Sequence, residues 1–224
     1  MKDRHLKWVL VAPALVVLIA LIVFPMFYAL GASFANWQMG RFTEFVGGDN
    51  YVHLVKGEAF KASMRNTAIL VTGAVLLELL LGFALALLLN RELGRIRSVL
   101  RAALLVPMFM APIVVGVVWR MLYNPQYGVL PWVLNARGFA PTGRQGTALY
   151  SVMLADVWQW TPFMFIILLA ALQSVPNEAL EAAKVDGASY LQSLRRIVVP
   201  HIMPAIVIAV LLRFMDALKI FDLV

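Results

Sequence analysis

The chain has 224 residues, of which 62% are hydrophobic, 14% are charged and none is cysteine. A soluble core of this size does not need so much apolar sequence, so the composition is that of a polytopic membrane protein, and the lack of cysteine excludes disulfide staples and thiolate metal sites. The net charge of +7 is not read as a nucleic-acid signal, because the basic residues sit mainly between apolar runs, where the positive-inside rule accounts for them.

Five runs are long enough to cross about 30 Å of hydrocarbon: Trp8–Phe34, Thr67–Leu89, Ala102–Tyr123, Ala148–Leu172 and Ile202–Val224. The first follows Lys2, Arg4 and Lys7. Its apolar stretch Val9–Leu30 is too long for the core of a cleaved leader, so it is expected to remain as a span. The outer loop 35–65 contains Gly47-Gly48-Asp49-Asn50-Tyr51, read as a turn before a short amphipathic stretch. Glu78 falls in the middle of the second run, where a hydrogen bond to another helix or a neutral carboxyl is expected and proton coupling is the rival reading. Pro107, Pro112 and Pro162 interrupt apolar runs and can kink them. Tyr127 and Trp132 suit a membrane interface.

With the N-terminus in the cytoplasm, inner segments carry ten Lys and Arg (Lys2, Arg4, Lys7, Arg91, Arg95, Arg97, Arg101, Lys184, Arg195, Arg196), against seven in the outer loops. This bias, strongest in the short loop 91–101, places a polar island at 174–200 in the cytoplasm. The island reads as two short helices. Pro176 suits a first helical position, and Glu178 and Glu181 complement the helix dipole. Gly187 can take the left-handed conformation that ends a helix, and Ser189 with Gln192 forms a capping-box pattern opening a second helix over 190–199, which Pro200 stops. Leu180, Ala183 and Lys184 share a face, and small Ala182 and Ala183 permit close approach. The pattern fits a docking element for a cytoplasmic partner, and it also fits a hairpin lying on the membrane surface.

In the fourth run, Asp156, Gln159 and Trp160 share a helical face at i, i+3 and i+4. A carboxylate, an amide and an indole suit a sugar: polar groups hold vicinal hydroxyls and an aromatic face packs on the ring. The same residues also fit an interhelical pair and an interfacial anchor. In the last run Arg213, Asp216, Lys219 and Asp222 recur every third position with alternating sign, as a self-paired ladder or a polar wall. His53 and His201 stand alone, so no metal is assigned.

The spacing Glu181-Ala182-Ala183, three residues, Gly187, nine residues, Ile197, then Val199-Pro200 resembles the EAA loop of ABC importer permeases, with Val where that family usually has Leu. Asp156-Val157-Trp158-Gln159-Trp160-Thr161-Pro162, Leu172-Gln173-Ser174-Val175-Pro176 and Arg65-Asn66-Thr67 agree with it. Together with the outer-loop motif, they are similar to the maltose-type carbohydrate branch, specifically the first of its two permease subunits.

This resemblance implies an all-α, polytopic helical bundle of the type I ABC importer permease fold, forming one transmembrane domain over 1–224 in a bacterial or archaeal inner membrane. It also implies a sixth helix beyond Val224, so the chain is expected to be incomplete. The implied partners are a second permease subunit, two ATP-binding subunits that carry the ATP and Mg, an extracytoplasmic substrate-binding protein, membrane lipid and a sugar. Related permeases carry maltose, trehalose, other oligosaccharides and glycerol phosphate. The ATPase-docking residues carried over are Glu181, Ala182, Ala183, Asp186 and Gly187. The substrate-path residues are Asp156, Gln159, Trp160, Asp216, Ala217, Ile220 and Met108, with Pro112 beside it. No Walker A loop occurs, since Gly143-Arg144-Gln145-Gly146-Thr147 lacks both the spacing and the Lys, so no cofactor and no catalysis are expected in this chain. The rival reading is a proton-coupled carrier using Glu78, Asp156 and Asp216.

Overall fold

The structure, a computed structural model, describes residues 2–38, 40–90, 94, 96–133 and 145–219. The chain forms two compact units, Met1–Met64 and Arg65–Val224.

The first unit opens with α1 (Lys2–Leu18), a π-helical turn (Ile19–Val23) and α2 (Phe24–Ala32). The π turn has a local cause. Pro25 has no N–H and its ring crowds the carbonyl four residues back, and the preceding backbone widens, with Phe24 N–H donating to the Ile19 carbonyl five residues away. The 35–65 loop is more ordered than a simple turn. Strands β1 (Ala35–Gln38) and β2 (Arg41–Phe45) pair antiparallel, with Trp37 opposite Phe42 and a bulge at Asn36/Trp37. Gly40 takes φ +78° in the connecting turn. Next comes α3 (Asp49–Lys56), where Asn50 Nδ2 donates to the Ser33 and Ala35 carbonyls at 2.9 and 3.1 Å. That hairpin escapes the turn-and-amphipath reading because its aromatic pair lies across strands rather than along one helical face.

Helix α4 (Glu58–Leu89) carries the second apolar run and starts nine residues before the expected Thr67, with Glu58 in its first turn. Its C-terminal carbonyl at Leu89 accepts from Arg97 Nε (2.8 Å) and Arg101 Nη2 (3.0 Å), so basic residues of the Arg-rich loop that follows close a helix end. Arg91 and Arg95 lie outside the described residues.

The third run is not the single helix expected over Ala102–Tyr123. Helix α5 (Ile96–Leu105) passes into a 3₁₀ segment (Val106–Phe109), and α6 (Pro112–Leu122) leaves at 98° to it. The bend falls between Phe109 and Pro112. Pro112 starts α6, where a missing N–H costs nothing, whereas Pro107 lies before the bend, within the helical stretch that narrows to 3₁₀. A short α7 (Val129–Val133) precedes α8 (Gln145–Gln173), which runs unbroken through Pro162.

The expected stop at Pro200 does not occur. After α9 (Asn177–Val185) and α10 (Tyr190–Ser193), a second π turn (Leu194–Val198) leads directly into α11 (Val199–Ala217). Val199 N–H donates to the Leu194 carbonyl, five residues back, and Pro200 follows. Pro25 and Pro200 are thus accommodated by the same device, and α10 to α11 form one long apolar segment.

Among the described residues, four helices are long and apolar enough to cross a membrane, or five if the bent pair forms one span. The core of the second unit lies where α4, α8 and α11 meet: Val71 and Val75, Phe165 and Leu168, Ile202 and Ala209 are buried there. Gly82 lets α4 approach α8 closely, since a Cβ on it would lie 2.6 Å from Met164 Cβ.

Candidate functional site

A cluster of charge sits within this three-helix core. Arg213 on α11 is 1% exposed. Its Nε donates to Glu78 Oε2 at 2.8 Å and its Nη2 to Glu78 Oε1 at 3.0 Å, a bidentate pair with α4. Nη2 also donates to Asp156 Oδ2 on α8. Nη1 reaches Asp216 Oδ2 at 3.3 Å, one turn further along α11. Glu78 and Asp156 are fully buried, whereas the Asp216 side chain is half exposed. An unpaired guanidinium in this setting would cost several kcal/mol, so the three acids and the arginine have to be read as one unit.

Of the expected ladder, the first rung is present. Arg213 does meet Asp216 at i+3, but its short bonds go to other helices. Asp222 lies outside the described residues, as does Ile220. The hydrogen bond to another helix expected of Glu78 is present.

Asp156, Gln159 and Trp160 share one face of α8 and meet two different surroundings, Arg213 and the bend of the third run. Asp156 pairs with Arg213. Trp160, half-buried, has the Arg213 guanidinium carbon 5.1 Å from its ring centroid and the Phe163 ring edge-on at 6.3 Å. Gln159, 1% exposed, donates from Nε2 to the Met110 carbonyl at 3.1 Å. That carbonyl lies at the break of the third run. Val114 N–H, its helical partner in an unbroken helix, donates to Ala111 instead at 2.9 Å, so the Gln159 amide satisfies the group freed by the bend. Met108 is half-buried in the same 3₁₀ segment. Ala217, in contrast, is 2% exposed and belongs to the apolar core. Asp156, Trp160 and Asp216 therefore converge on Arg213, Gln159 bonds the Met110 carbonyl at the bend, Met108 lies in the 3₁₀ segment before it, and Ala217 packs inward. Arg213 is the member that reading for sugar-binding groups passed over, although an intramembrane arginine is itself a signal.

The 174–200 island is a helical hairpin held by local bonds. Pro176 stands one residue before its expected place at the first position of α9, in extended backbone and without a side-chain capping bond. At the other end Gly187 takes φ +77°, its N–H donates to the Lys184 carbonyl (3.1 Å), and Ala188 N–H donates to the Ala183 carbonyl (2.9 Å). This is the Schellman arrangement that glycine permits. Ser189 then begins α10 with both bonds of the capping box: Gln192 N–H to Ser189 Oγ at 3.3 Å and Ser189 N–H to Gln192 Oε1 at 2.8 Å. Glu181, Ala182, Val185 and Asp186 are exposed, and Val185 is 89% so. Ala183 is buried against the chain itself, and Leu180 packs on the core. Of the two alanines expected to admit a partner closely, only Ala182 faces outward. A cavity of about 350 Å³ lies beneath the hairpin, between Leu87 of α4, the following Asn90, and Leu180 and Lys184 of α9. Among the described residues no group of three or more His, Cys, Asp and Glu is placed to hold a metal.

Residues 78–224 match the family of binding-protein-dependent transport system inner membrane components. The trehalose/maltose transport system permease protein of Thermococcus litoralis is 34% identical over 228 residues, covering 100% of this chain and 77% of the relative. The trehalose transport system permease protein of Mycobacterium tuberculosis is 37% identical over 224 residues, covering 99% and 72%. In fold, the chain resembles a crystal structure of a bacterial alginate ABC transporter in complex with an alginate pentasaccharide-bound periplasmic protein: the TM-score is 0.82 at 23% identity, covering 98% of this chain and 74% of the other. A second alginate importer structure matches with a TM-score of 0.80.

Proposed function

The chain belongs to the binding-protein-dependent transport system inner membrane components, and from that membership we propose that it is the permease subunit of an ATP-driven sugar importer. It is a transport subunit rather than an enzyme. In this reading it lies in the inner membrane with its N-terminus in the cytoplasm. It forms half of a substrate pathway with a second permease subunit, receives sugar from an extracytoplasmic binding protein and docks one of two ATP-binding subunits. Relatives named for trehalose and maltose support the sugar class.

The observation that carries the docking role is the exposed face of the α9–α10 hairpin. Glu181, Ala182, Val185 and Asp186 project from a helix whose other side is packed on the core through Ala183 and Leu180. A nearly fully exposed Val185, beside exposed Leu191 and Tyr190, suits a protein groove. Gly187 sets the angle at which the two helices leave the turn. ATP-driven closure of the partner dimer would pull this hairpin. The pull would pass through α11, which continues from it, and shift the pathway between inward-open and outward-open populations. Asp156, Gln159, Trp160, Asp216 and Met108 form the candidate sugar-facing set. A half-exposed Asp216 carboxylate does not belong against lipid, which supports a pathway or subunit-facing position for that side of α11.

A proton-coupled carrier needs carboxylates that exchange protons with water. Glu78 and Asp156 are fully buried and both are engaged by Arg213, and Asp216 alone is half exposed, so two of its three carboxylates lack the access to water that reading needs.

The test exploits the cysteine-free chain. Val185→Cys in the intact complex should crosslink to an ATP-binding subunit and resist a membrane-impermeant maleimide added from outside. Labelling from the outer medium, or crosslinks to the binding protein alone, would overturn the docking role.

A further inference from the structure

We propose that Arg213 is a positioning residue for transport: held by Glu78 and Asp156, its guanidinium fixes the indole of Trp160 for sugar contact. The inference rests on the reading of Trp160 as part of the sugar path and adds how that ring is kept in place.

The geometry carries it in three steps. First, the guanidinium has no freedom of its own. Its Nε and Nη2 are forked onto Glu78 at 2.8 and 3.0 Å, and Nη2 also bonds Asp156. These anchors lie on α4 and α8 while the arginine stems from α11, so the plane of the group is set by three helices at once. Second, that plane lies against Trp160, with 5.1 Å between the guanidinium carbon and the ring centroid. Trp is the best aromatic partner for a cation, and desolvation strengthens the contact. Phe163 meets the same ring at an interplanar angle of 82°. Third, Trp160 is only half-buried, so part of the indole is left uncovered. A ring pinned by a cation and an aromatic edge has little rotamer entropy left to lose when a sugar ring stacks on it.

The charge arrangement supports a positioning role over a direct one. Two buried carboxylates already neutralise Arg213, and its remaining Nη1 contact is the 3.3 Å approach to Asp216. The arginine therefore presents no unpaired donor fork to a substrate, and its exposed consequence is the placement of Trp160.

The experiment uses the full transporter complex in vesicles, with the other five of the six tryptophans replaced by phenylalanine. Time-resolved anisotropy of Trp160 is measured for Arg213→Gln, Glu78→Gln and Asp216→Asn, alongside uptake of radiolabelled trehalose and maltose. A fast rotational component should appear in Arg213→Gln, be smaller in Glu78→Gln and be absent in Asp216→Asn. The apparent KM of whichever sugar is carried should rise roughly 5- to 30-fold in Arg213→Gln, the span from an exposed to a desolvated cation–π contact, with Vmax changed less than about two-fold. Arg213→Lys should recover part of that loss. If Arg213→Gln does not assemble, Glu78→Gln decides the matter, because it keeps the arginine and only loosens its fork. An indole equally rigid in Arg213→Gln and Glu78→Gln would overturn the proposal. Unchanged uptake in Trp160→Ala would instead remove Trp160 from the path, and that result is distinguishable because the anisotropy does not depend on sugar.

Discussion

Two glycines of α4 allow a sharp test of how its packing works. A Cβ on Gly82 would sit 2.6 Å from Met164 Cβ and 2.9 Å from the Phe165 backbone nitrogen. A Cβ on Gly73 would sit 2.7 Å from Met153 Cε and 3.0 Å from its Sδ. The overlaps are nearly equal, but the atoms hit are different. Carbon atoms rest about 3.5–4.0 Å apart, so Gly82→Ala must drive α4 and α8 apart by about 1 Å, because neither a Cβ nor a backbone nitrogen can rotate away. Overpacking of that kind costs up to about 3 kcal/mol, and the better helix propensity of alanine returns about 1 kcal/mol, leaving a net loss of about 2 kcal/mol. In Gly73→Ala the flexible end of Met153 can change rotamer for roughly 0.5–1.5 kcal/mol, which the same propensity gain largely cancels. For a chain of this size, 2 kcal/mol corresponds to a fall in Tm of about 4–8 °C. Thermal unfolding of the purified complex in lipid nanodiscs should show that drop for Gly82→Ala and almost none for Gly73→Ala. Equal losses for the two variants, or the reverse order, would refute the argument that backbone proximity at Gly82 sets the α4–α8 contact.

Gly187→Val places a β-branched side chain at φ +77°, at a cost of about 1–2 kcal/mol. ATPase activity of the complex should then persist while sugar uptake falls, and Gly187→Asn should retain more coupling. Ser189→Ala removes the capping-box acceptor and should destabilise α10 by about 1 kcal/mol, read as faster amide hydrogen exchange over residues 190–198. Gln159→Leu leaves the Met110 carbonyl without its 3.1 Å donor, a loss of about 1–3 kcal/mol. Removal of the buried Gln159 Oε1, which has no partner among the described residues, offsets part of it, so Tm should fall modestly. A rise would mean that the bend does not depend on this bond.

Legibility followed the range of the interactions. The end of α9 could be read in advance because its causes are local: Gly187 is the residue that tolerates positive φ, and Ser189 and Gln192 reach each other across three positions. The spans were visible as apolar runs, and the shared face of Asp156, Gln159 and Trp160 follows from helical spacing alone. Both prolines of the third run were visible too, but not the 98° between its halves, since a proline permits a bend without choosing its angle. Pro200 misled for a related reason: a π turn can absorb the missing N–H, and the packing of the long helix decides whether it does.

Taken alone, the sequence determined which runs are apolar, where the hairpin turns, and that charges in the last run must find partners. The tertiary structure alone decided who those partners are. Glu78 and Arg213 are 135 residues apart, and no periodicity links them. Ala183 turned inward and Ala182 outward only once the hairpin had a core to rest on. The physical reason is that hydropathy and capping act within a few residues, whereas pairing of buried charge is a constraint on the whole fold, met by whichever helices the packing brings together.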